Sequence, residues 1–159
     1  MPLGASRAGL MSVAADDIPD SVVSRPDDNA DSTTSTAHGL EIETKTEWAS
    51  IGAEISNLTS GVTRAHLQDD TGNDIDTVDI SGLTSGEAFT FDNVSLNSNN
   101  KYRIVLDANG SDFTLGRNTD ADDYPYTSDD IDITARVVGN TVEGGAAVAV
   151  NNIGNTGFD

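Results

Sequence analysis

Histidine is the side chain best suited to acid–base catalysis near neutral pH, and this chain has two, His38 and His66, with no cysteine. The absence of cysteine excludes a thiol nucleophile, a disulfide and a zinc–thiolate site. A catalytic triad requires a serine or cysteine beside a histidine that a carboxylate orients. His38 lies where the strand-rich region begins, His66 lies on the polar side of a predicted strand, and no serine lies in a nucleophile elbow. The sequence therefore predicts that the protein is not an enzyme.

Carboxylates are far more abundant, with 27 acidic against 8 basic residues. A pair of carboxylates is the machinery of a glycoside hydrolase, but almost any fold of so acidic a chain brings two of them together. The loops "DDTGND" (69–74) and "RNTDADDYPYTSDD" (117–130) offer several oxygen ligands, although neither has the spacing of an EF-hand. We therefore expect no cofactor, and we keep a structural cation such as calcium and a glycoside hydrolase activity as alternatives.

Aromatic residues outside the predicted core are the candidates for ligand recognition. The alternation in "WASIGAEIS" (48–56) directs Trp48 away from Ile51 and Ile55, where its indole would stack on a sugar ring or fill a subunit interface. Two tyrosines flank Pro125 in the loop 117–130, a mixture of polar and aromatic residues common in ligand-binding loops. The candidate glycan-binding residues are Trp48, Arg117, Tyr124 and Tyr126. The alternative is that these rings cap the ends of the fold.

Three asparagines lie in N-x-[ST] sequons and are candidates for N-glycosylation: Asn57, Asn93 and Asn109. All three fall in predicted turns or at strand ends, where a transferase would reach them. A chain this rich in asparagine, serine and threonine also contains such triplets by chance.

The elements that must position these residues are short strands. In "KYRIVLDANG" (101–110), Tyr102, Ile104 and Leu106 alternate with Arg103 and Asp107, which we expect to face water. Similar segments cover 40–46, 48–56, 62–68, 74–80, 88–92, 112–116, 131–137 and 146–153, and turn residues separate them. The segment 74–80 changes its alternation midway, which indicates a bulge or a strand end. This spacing predicts an all-β fold, an antiparallel β-sandwich or jelly roll.

The chain divides by composition into three parts. Residues 1–36 are rich in Asp, Ser, Thr and Pro without periodicity, which predicts an extended N-terminal arm that mediates assembly contacts. Docking of this arm on its own domain is the alternative. Residues 37–139 form the predicted sandwich domain, and residues 140–159 form a C-terminal strand or tail that would supply a subunit contact.

The net charge of −19 narrows the class of partners. There is no basic stripe to displace counterions from phosphates, so nucleic acid is excluded as an expected partner. No apolar run approaches the ~20 residues that span a bilayer, so we expect no membrane insertion. An Asp-rich surface repels itself at low ionic strength, and screening at ~1 M salt removes that repulsion. The charge therefore favours a high-salt origin over a merely acidic protein.

Three segments carry a resemblance to a known class of protein: "ISGLTSGEAFTFD", "KYRIVLDANGSDFTLG" and "YPYTSDDIDITA". Residues 39–136 resemble β-sandwich modules in structural proteins of tailed viruses that infect haloarchaea, and related haloarchaeal surface-type sequences. The resemblance implies a jelly-roll, carbohydrate-binding domain that serves as a virion component, either capsid decoration or tail fibre. It carries over no catalytic residues.

The expected function is therefore that of a non-enzymatic structural protein on an extracellular particle in high salt. Its expected partners are identical subunits in a homo-oligomer, other capsid or tail proteins and the glycans of the host surface. The alternative is a cellular or secreted glycan-binding module of a halophile.

Overall fold

The computed structural model describes residues 22–23, 31–35, 37–55, 58–118, 124–139, 141–143, 147–148 and 150–154. All regular structure in this part of the chain is β-strand. No helix able to cross a membrane occurs in these ranges. The strands are β1 (Val22–Val23), β2 (Asp31–Ser35), β3 (Ala37–Thr44), β4 (Ile51–Ile55), β5 (Leu58–Ser60), β6 (Arg64–Asp69), β7 (Asp74–Asp79), β8 (Glu87–Phe91), β9 (Asn100–Asp107), β10 (Phe113–Asn118), β11 (Tyr126–Thr127), β12 (Ile131–Val138), β13 (Thr141–Glu143), β14 (Ala147–Val148) and β15 (Val150–Gly154).

These strands form three antiparallel sheets. The largest has seven strands in the order β11-β12-β3-β9-β6-β7, and β13 pairs with β12. A second sheet has the order β1-β15-β4-β8, and a third has the order β14-β10-β2 with β5 paired to β10. The all-β, antiparallel prediction is confirmed. The sandwich or jelly-roll architecture stays a prediction.

The core lies on one face of the seven-stranded sheet, which we call the inner face. Leu40 pairs with Ile104 and Ile104 with Leu67 across β3, β9 and β6, and all three side chains are fully buried. Ile51 and Phe91 of the second sheet belong to the same cluster of buried side chains. Burial of each such side chain contributes about 1.5–3 kcal/mol, so this shared core stabilises the packing of the two sheets.

The opposite face, here the outer face, has one position where only glycine fits. A Cβ atom on Gly39 would lie 2.0 Å from the carbonyl oxygen of Ile104 and 2.7 Å from the Cα of Val105. Both atoms belong to the backbone of β9, so neither can rotate away as a side chain would. Gly39 therefore allows β3 and β9 to approach closely in the middle of the sheet.

The irregularity expected in 74–80 is confirmed as a bulge. Leu67 pairs with Asp76 and Gln68 pairs with Asp74, so Ile75 is the extra residue on β7. Its side chain is 42% exposed, whereas Val78 on the same strand packs against the core. The turn predicted at 69–73 connects β6 to β7.

The predicted direction of the Trp48 side chain, away from the core, is wrong. Its side chain is 3% exposed and belongs to the core, and its Nε1 donates a hydrogen bond of 2.8 Å to Thr46 Oγ1. The regular strand begins only at Ile51, while Trp48 makes an isolated bridge with Leu96. Because residues 48–50 are not part of β4, the alternation within the strand does not extend back to Trp48.

Two short strands lie in the segment that we predicted to be an arm. β1 pairs with β15 and β2 pairs with β10 of the same chain. The rest of residues 1–36 lies outside the described residues, so the role of the arm in assembly stays a prediction. In the predicted C-terminal segment, β14 pairs with β10 and β15 pairs with β4.

Candidate functional site

In the described part of the chain, the outer face of the seven-stranded sheet holds a group of charged and titratable side chains that could take part in acid–base chemistry or binding. β6 contributes Arg64, His66 and Gln68, which are separated by core residues because side chains alternate along a strand. β9 contributes Asp107, and β7 contributes Asp74. Hydrogen bonds connect these five side chains, and we call them the polar cluster.

His66 lies between two carboxylates of the polar cluster. Its Nε2 is 2.9 Å from Asp107 Oδ2, and its Nδ1 is 3.1 Å from Asp74 Oδ2. The His66 side chain is 12% exposed. The side chain of Gln68 donates from Nε2 to the other oxygen of Asp74 at 2.9 Å. The imidazole is therefore held on both sides by carboxylates that are themselves positioned by neighbours.

Asp107 is the most heavily bonded member of the cluster. Arg64 donates to both of its oxygens at 3.2 Å, and the backbone N–H of Asn109 donates to Oδ1 at 2.9 Å. Burial by itself would raise the pKa of Asp107, but the hydrogen bonds from Asn109, Arg64 and His66 outweigh burial and hold that pKa below its ordinary value. The carboxylate is thus kept ionised.

This arrangement resembles a catalytic triad in composition, because a hydroxyl, an imidazole and a carboxylate lie close together. Thr77 Oγ1 lies 3.3 Å from His66 Nδ1, and Asp107 lies on the other ring nitrogen. The carboxylate of Asp74 lies closer to the same Nδ1, at 3.1 Å. Asp74 and the Thr77 hydroxyl therefore share one ring nitrogen of His66, while Asp107 contacts the other. The polar cluster therefore connects β6, β7 and β9 through hydrogen bonds of their side chains.

A second group of charges lies farther along the outer face. It includes Arg103, for which the expectation that it faces water is wrong. Arg103 has the predicted direction, away from the core, but it is 7% exposed instead of facing water. Its Nη2 donates to the carbonyl oxygen of Asp70, and a Cβ on Gly72 would lie 3.1 Å from Nη1. The turn between β6 and β7 therefore folds over this guanidinium.

Glu41 is equally buried on the neighbouring strand. Its side chain accepts from Lys101 Nζ at 2.6 Å and from Thr134 Oγ1 at 2.8 Å, both at Oε1, and the residue is 5% exposed. These bonds connect β3 to β9 on one side and to β12 on the other. The outer face is thus joined across five strands by polar contacts.

The structure describes three of the four predicted glycan-binding side chains. Trp48 has no ring face free to stack on a sugar, since it is enclosed by the core. Tyr124 and Tyr126 contact each other, with ring centroids 5.2 Å apart, and both half-buried rings pack against the core. The backbone of Arg117 pairs with Val148, and its side chain lies outside the described residues. The packing of the two tyrosine rings agrees with the capping alternative.

The predicted cation loops use their oxygens internally where they are described. Asp69 Oδ1 accepts from the backbone N–H groups of Thr71 and Asn73 and from the Thr71 hydroxyl, and Oδ2 accepts from Asn73 Nδ2. These bonds lower the pKa of Asp69 far below its ordinary value. Within the described ranges no group of three or more His, Asp or Glu side chains is arranged to hold a metal ion. Residues 119–123 of the second loop lie outside them.

Sequence reasoning missed the polar cluster because it assigned His66 to solvent. The one available signal was that Arg64, His66 and Gln68 share a side of their strand. That signal becomes a site only when β6 is known to pair with β9, which brings Asp107 next to His66.

Comparisons with known proteins identify no relative: no protein-family model matches the chain, and no curated protein or solved structure matches it.

Proposed function

We propose that this chain is a non-enzymatic structural protein of a haloarchaeal tailed virus, carried on the capsid surface or the tail, where it aids attachment to host glycans. A sandwich or jelly roll, with one core shared by two sheets, is the architecture we propose for it. The observation that carries the non-enzymatic part is the polar cluster. Its imidazole and both carboxylates are engaged with one another across three strands, which is the use of charge expected of a scaffold.

The distribution of charge supports the proposal that the protein functions at high salt concentration. Lys45, Arg64 and Lys101 each pair with an acid of their own chain, at Asp132, Asp107 and Glu41. With 8 basic residues for 27 acids, most carboxylates have no cation of the chain to neutralise them. Their mutual repulsion must be screened by the solvent, and the screening length falls from about 10 Å at 0.1 M salt to about 3 Å at 1 M.

The tyrosine pair supports the attachment part of the proposal. Tyr126 lies on β11, at an edge of the seven-stranded sheet, and Tyr124 precedes it in the loop. Both are half-buried, so each ring retains some contact with solvent while the core fixes its orientation. A rigid aromatic surface of this kind is suited to stacking on a sugar, because little conformational entropy is lost on binding.

Two measurements test the proposal. Mass spectrometry of purified virus particles is expected to find the chain at a copy number fixed by capsid or tail symmetry. Its presence in the cell envelope and absence from particles would instead support the alternative, a cellular or secreted glycan-binding module.

Particles that carry Tyr124→Ala are expected to adsorb more weakly to host cells. Thr127→Ala, at an exposed position of the same edge strand, is the matched control and is expected to adsorb normally. Circular dichroism of both variants checks that the fold is retained, since Tyr124 packs against the core. Normal adsorption of folded Tyr124→Ala would remove glycan recognition by this pair from the proposal.

A further inference from the structure

The turn that follows β9 presents a sequon at its tip. The backbone N–H of Ser111 donates to the carbonyl oxygen of Ala108 at 3.1 Å, which closes a β-turn around Asn109 and Gly110. Asn109 has φ 54° and Gly110 has φ 82°, the left-handed conformations of a type I′ turn, which Asn-Gly favours. Asn109, Gly110 and Ser111 are all exposed. The whole triplet is therefore accessible to an enzyme without unfolding of the sheet.

We propose that Asn109 is an N-glycosylation site, modified by a saccharide through its side-chain amide nitrogen. The first supporting contact is with β6, where Arg64 Nη2 donates to Asn109 Oδ1 at 3.0 Å. This bond uses the amide oxygen and leaves Nδ2, the atom that would carry the saccharide, outside the contact. Because Arg64 is itself bonded to Asp107, the orientation of the amide is fixed from two strands.

A surface depression beside the turn gives the first sugar a place to lie. It has a volume of about 450 Å³ and is lined by Thr63, Arg64, Thr77, Asp79, Ser81 and Asn109. All six side chains are polar, so they would form hydrogen bonds with sugar hydroxyl groups. Hydrogen bonds from Ser81 lower the pKa of the Asp79 carboxyl, which keeps it an acceptor.

The second described sequon, Asn93-Val94-Ser95, is less suited to modification. Asn93 is exposed, but Val94 is 8% exposed and its N–H donates to Ala49 O at 3.0 Å. The next residue, Leu96, is bridged to Trp48 in the core. A transferase would have to pull the centre of this triplet out of the fold. Asn57 lies outside the described residues.

The modification is a glycosyl transfer from a lipid-phosphate-linked saccharide, which the cell supplies together with its transferase. Nδ2 of Asn109 attacks the anomeric carbon and forms the new carbon–nitrogen bond. The bond from that carbon to the phosphate oxygen breaks, and the lipid phosphate leaves with its electron pair. Nδ2 loses one of its two protons to the medium or the transferase, and nothing is oxidised or reduced.

This inference is independent of the proposed attachment role. Asn109 follows Asp107, which pairs with Ala37 at the start of β3, whereas Tyr126 pairs with Ile133, which pairs with Ile42 near the end of β3. The sequon and the tyrosine pair therefore lie at opposite ends of the seven-stranded sheet. A saccharide on Asn109 leaves the tyrosine pair uncovered. The glycosylation of Asn109 and the binding of glycans by the tyrosine pair can therefore be disproved separately.

The test uses the full chain recovered from outside cells that N-glycosylate a co-expressed reference protein. Peptide mass spectrometry is expected to find a saccharide on the Asn109 peptide, at higher occupancy than on the Asn93 peptide. Ser111→Ala keeps Asn109 and its bond to Arg64 but destroys the sequon, so it is expected to abolish the saccharide. Ser111→Thr keeps the sequon and is expected to retain the saccharide.

Three results would overturn the proposal. The first is an unmodified Asn109 peptide in a preparation whose reference protein is glycosylated. The second is deamidation of Asn109 as its only change. The third is a saccharide that survives in Ser111→Ala, because a glycan at Asn109 requires the hydroxyl residue of its sequon.

Discussion

On β9, Tyr102, Ile104 and Leu106 enter the core, while Arg103 and Asp107 lie on the opposite face of the same strand. The inner face is stabilised by close packing of apolar side chains, which depends on shape and volume. The outer face combines the buried Val105 with paired charges, such as Lys101 with Glu41 and Arg64 with Asp107, each of which depends on a particular partner on a neighbouring strand. A substitution on the inner face should therefore decrease stability in proportion to the side-chain volume that it removes. A substitution of an outer-face charge should decrease stability by an amount that depends on how buried its unpaired partner is.

The two faces should also respond differently to salt. Exposed and half-exposed ion pairs weaken as ions screen them, whereas apolar burial does not weaken. The same screening weakens the repulsion among the excess acids. Added salt should therefore increase the stability of the whole molecule while it decreases the contribution of the outer-face ion pairs. Variants of the two faces, measured at low and high salt, separate these contributions.

The largest effect is expected from Ile104→Ala on the inner face. Ile104 is fully buried, so truncation leaves a cavity between β3 and β6 and should lower the free energy of unfolding by about 2–5 kcal/mol at any salt concentration. Denaturant unfolding measures the change. Ile75→Ala, at the exposed bulge of β7, is the matched control and should alter stability by no more than about 0.5 kcal/mol. Equal effects of the two variants would contradict the assignment of the core.

An intermediate effect is expected from Lys101→Met on the outer face. Among the described residues, the substitution leaves the buried carboxylate of Glu41 with the Thr134 hydroxyl as its one remaining side-chain donor, and should cost about 1–3 kcal/mol. Adding Glu41→Gln removes the isolated charge and should recover most of that loss, as a double-mutant cycle would measure. Lys45→Met leaves behind Asp132, whose side chain is 17% exposed against 7% for Glu41, and should cost no more than about 1 kcal/mol. If the double variant is no more stable than Lys101→Met, the buried charge is not the cause.

The alternation of the inner face could be predicted from the sequence because it depends on neighbours along one strand. The apolar period of β9 and the change of alternation within 74–80 are both local patterns, and both are confirmed. The direction of Arg103 was also predicted, but its burial was not. That burial results from the turn at 69–73, which folds over the guanidinium from another hairpin.

The remaining errors share this non-local origin. Trp48 lies in an irregular segment, where its bridge to Leu96 and not the period of a strand determines its direction. The polar cluster needs β6 and β9 side by side, and His66 is 41 positions from Asp107 in the sequence. No pattern in either strand selects that pairing over others, because both strands alternate in the same way. Sequence reasoning therefore found the strands and missed the site that their pairing creates.

The smallest effect, and the one that separates charge from packing, is expected from Asp107→Asn. Because the folded state holds the pKa of Asp107 below its ordinary value of 3.8, the ionised carboxylate stabilises the fold above that pH, and the contribution is lost as the pH falls through the folded value. Asp107→Asn should therefore cost about 1 kcal/mol at neutral pH and progressively less below about pH 4.

Urea unfolding at a series of pH values would show the two stability curves converging in acid. Asp112→Asn, at an exposed position of the adjacent turn, is the control and should follow the unmodified chain at every pH. A constant difference between Asp107→Asn and the unmodified chain down to strongly acidic pH would mean that Asp107 contributes through packing. The outer face would then be stabilised at Asp107 by packing, as the inner face is, and the proposed difference between the two faces would be wrong for this residue.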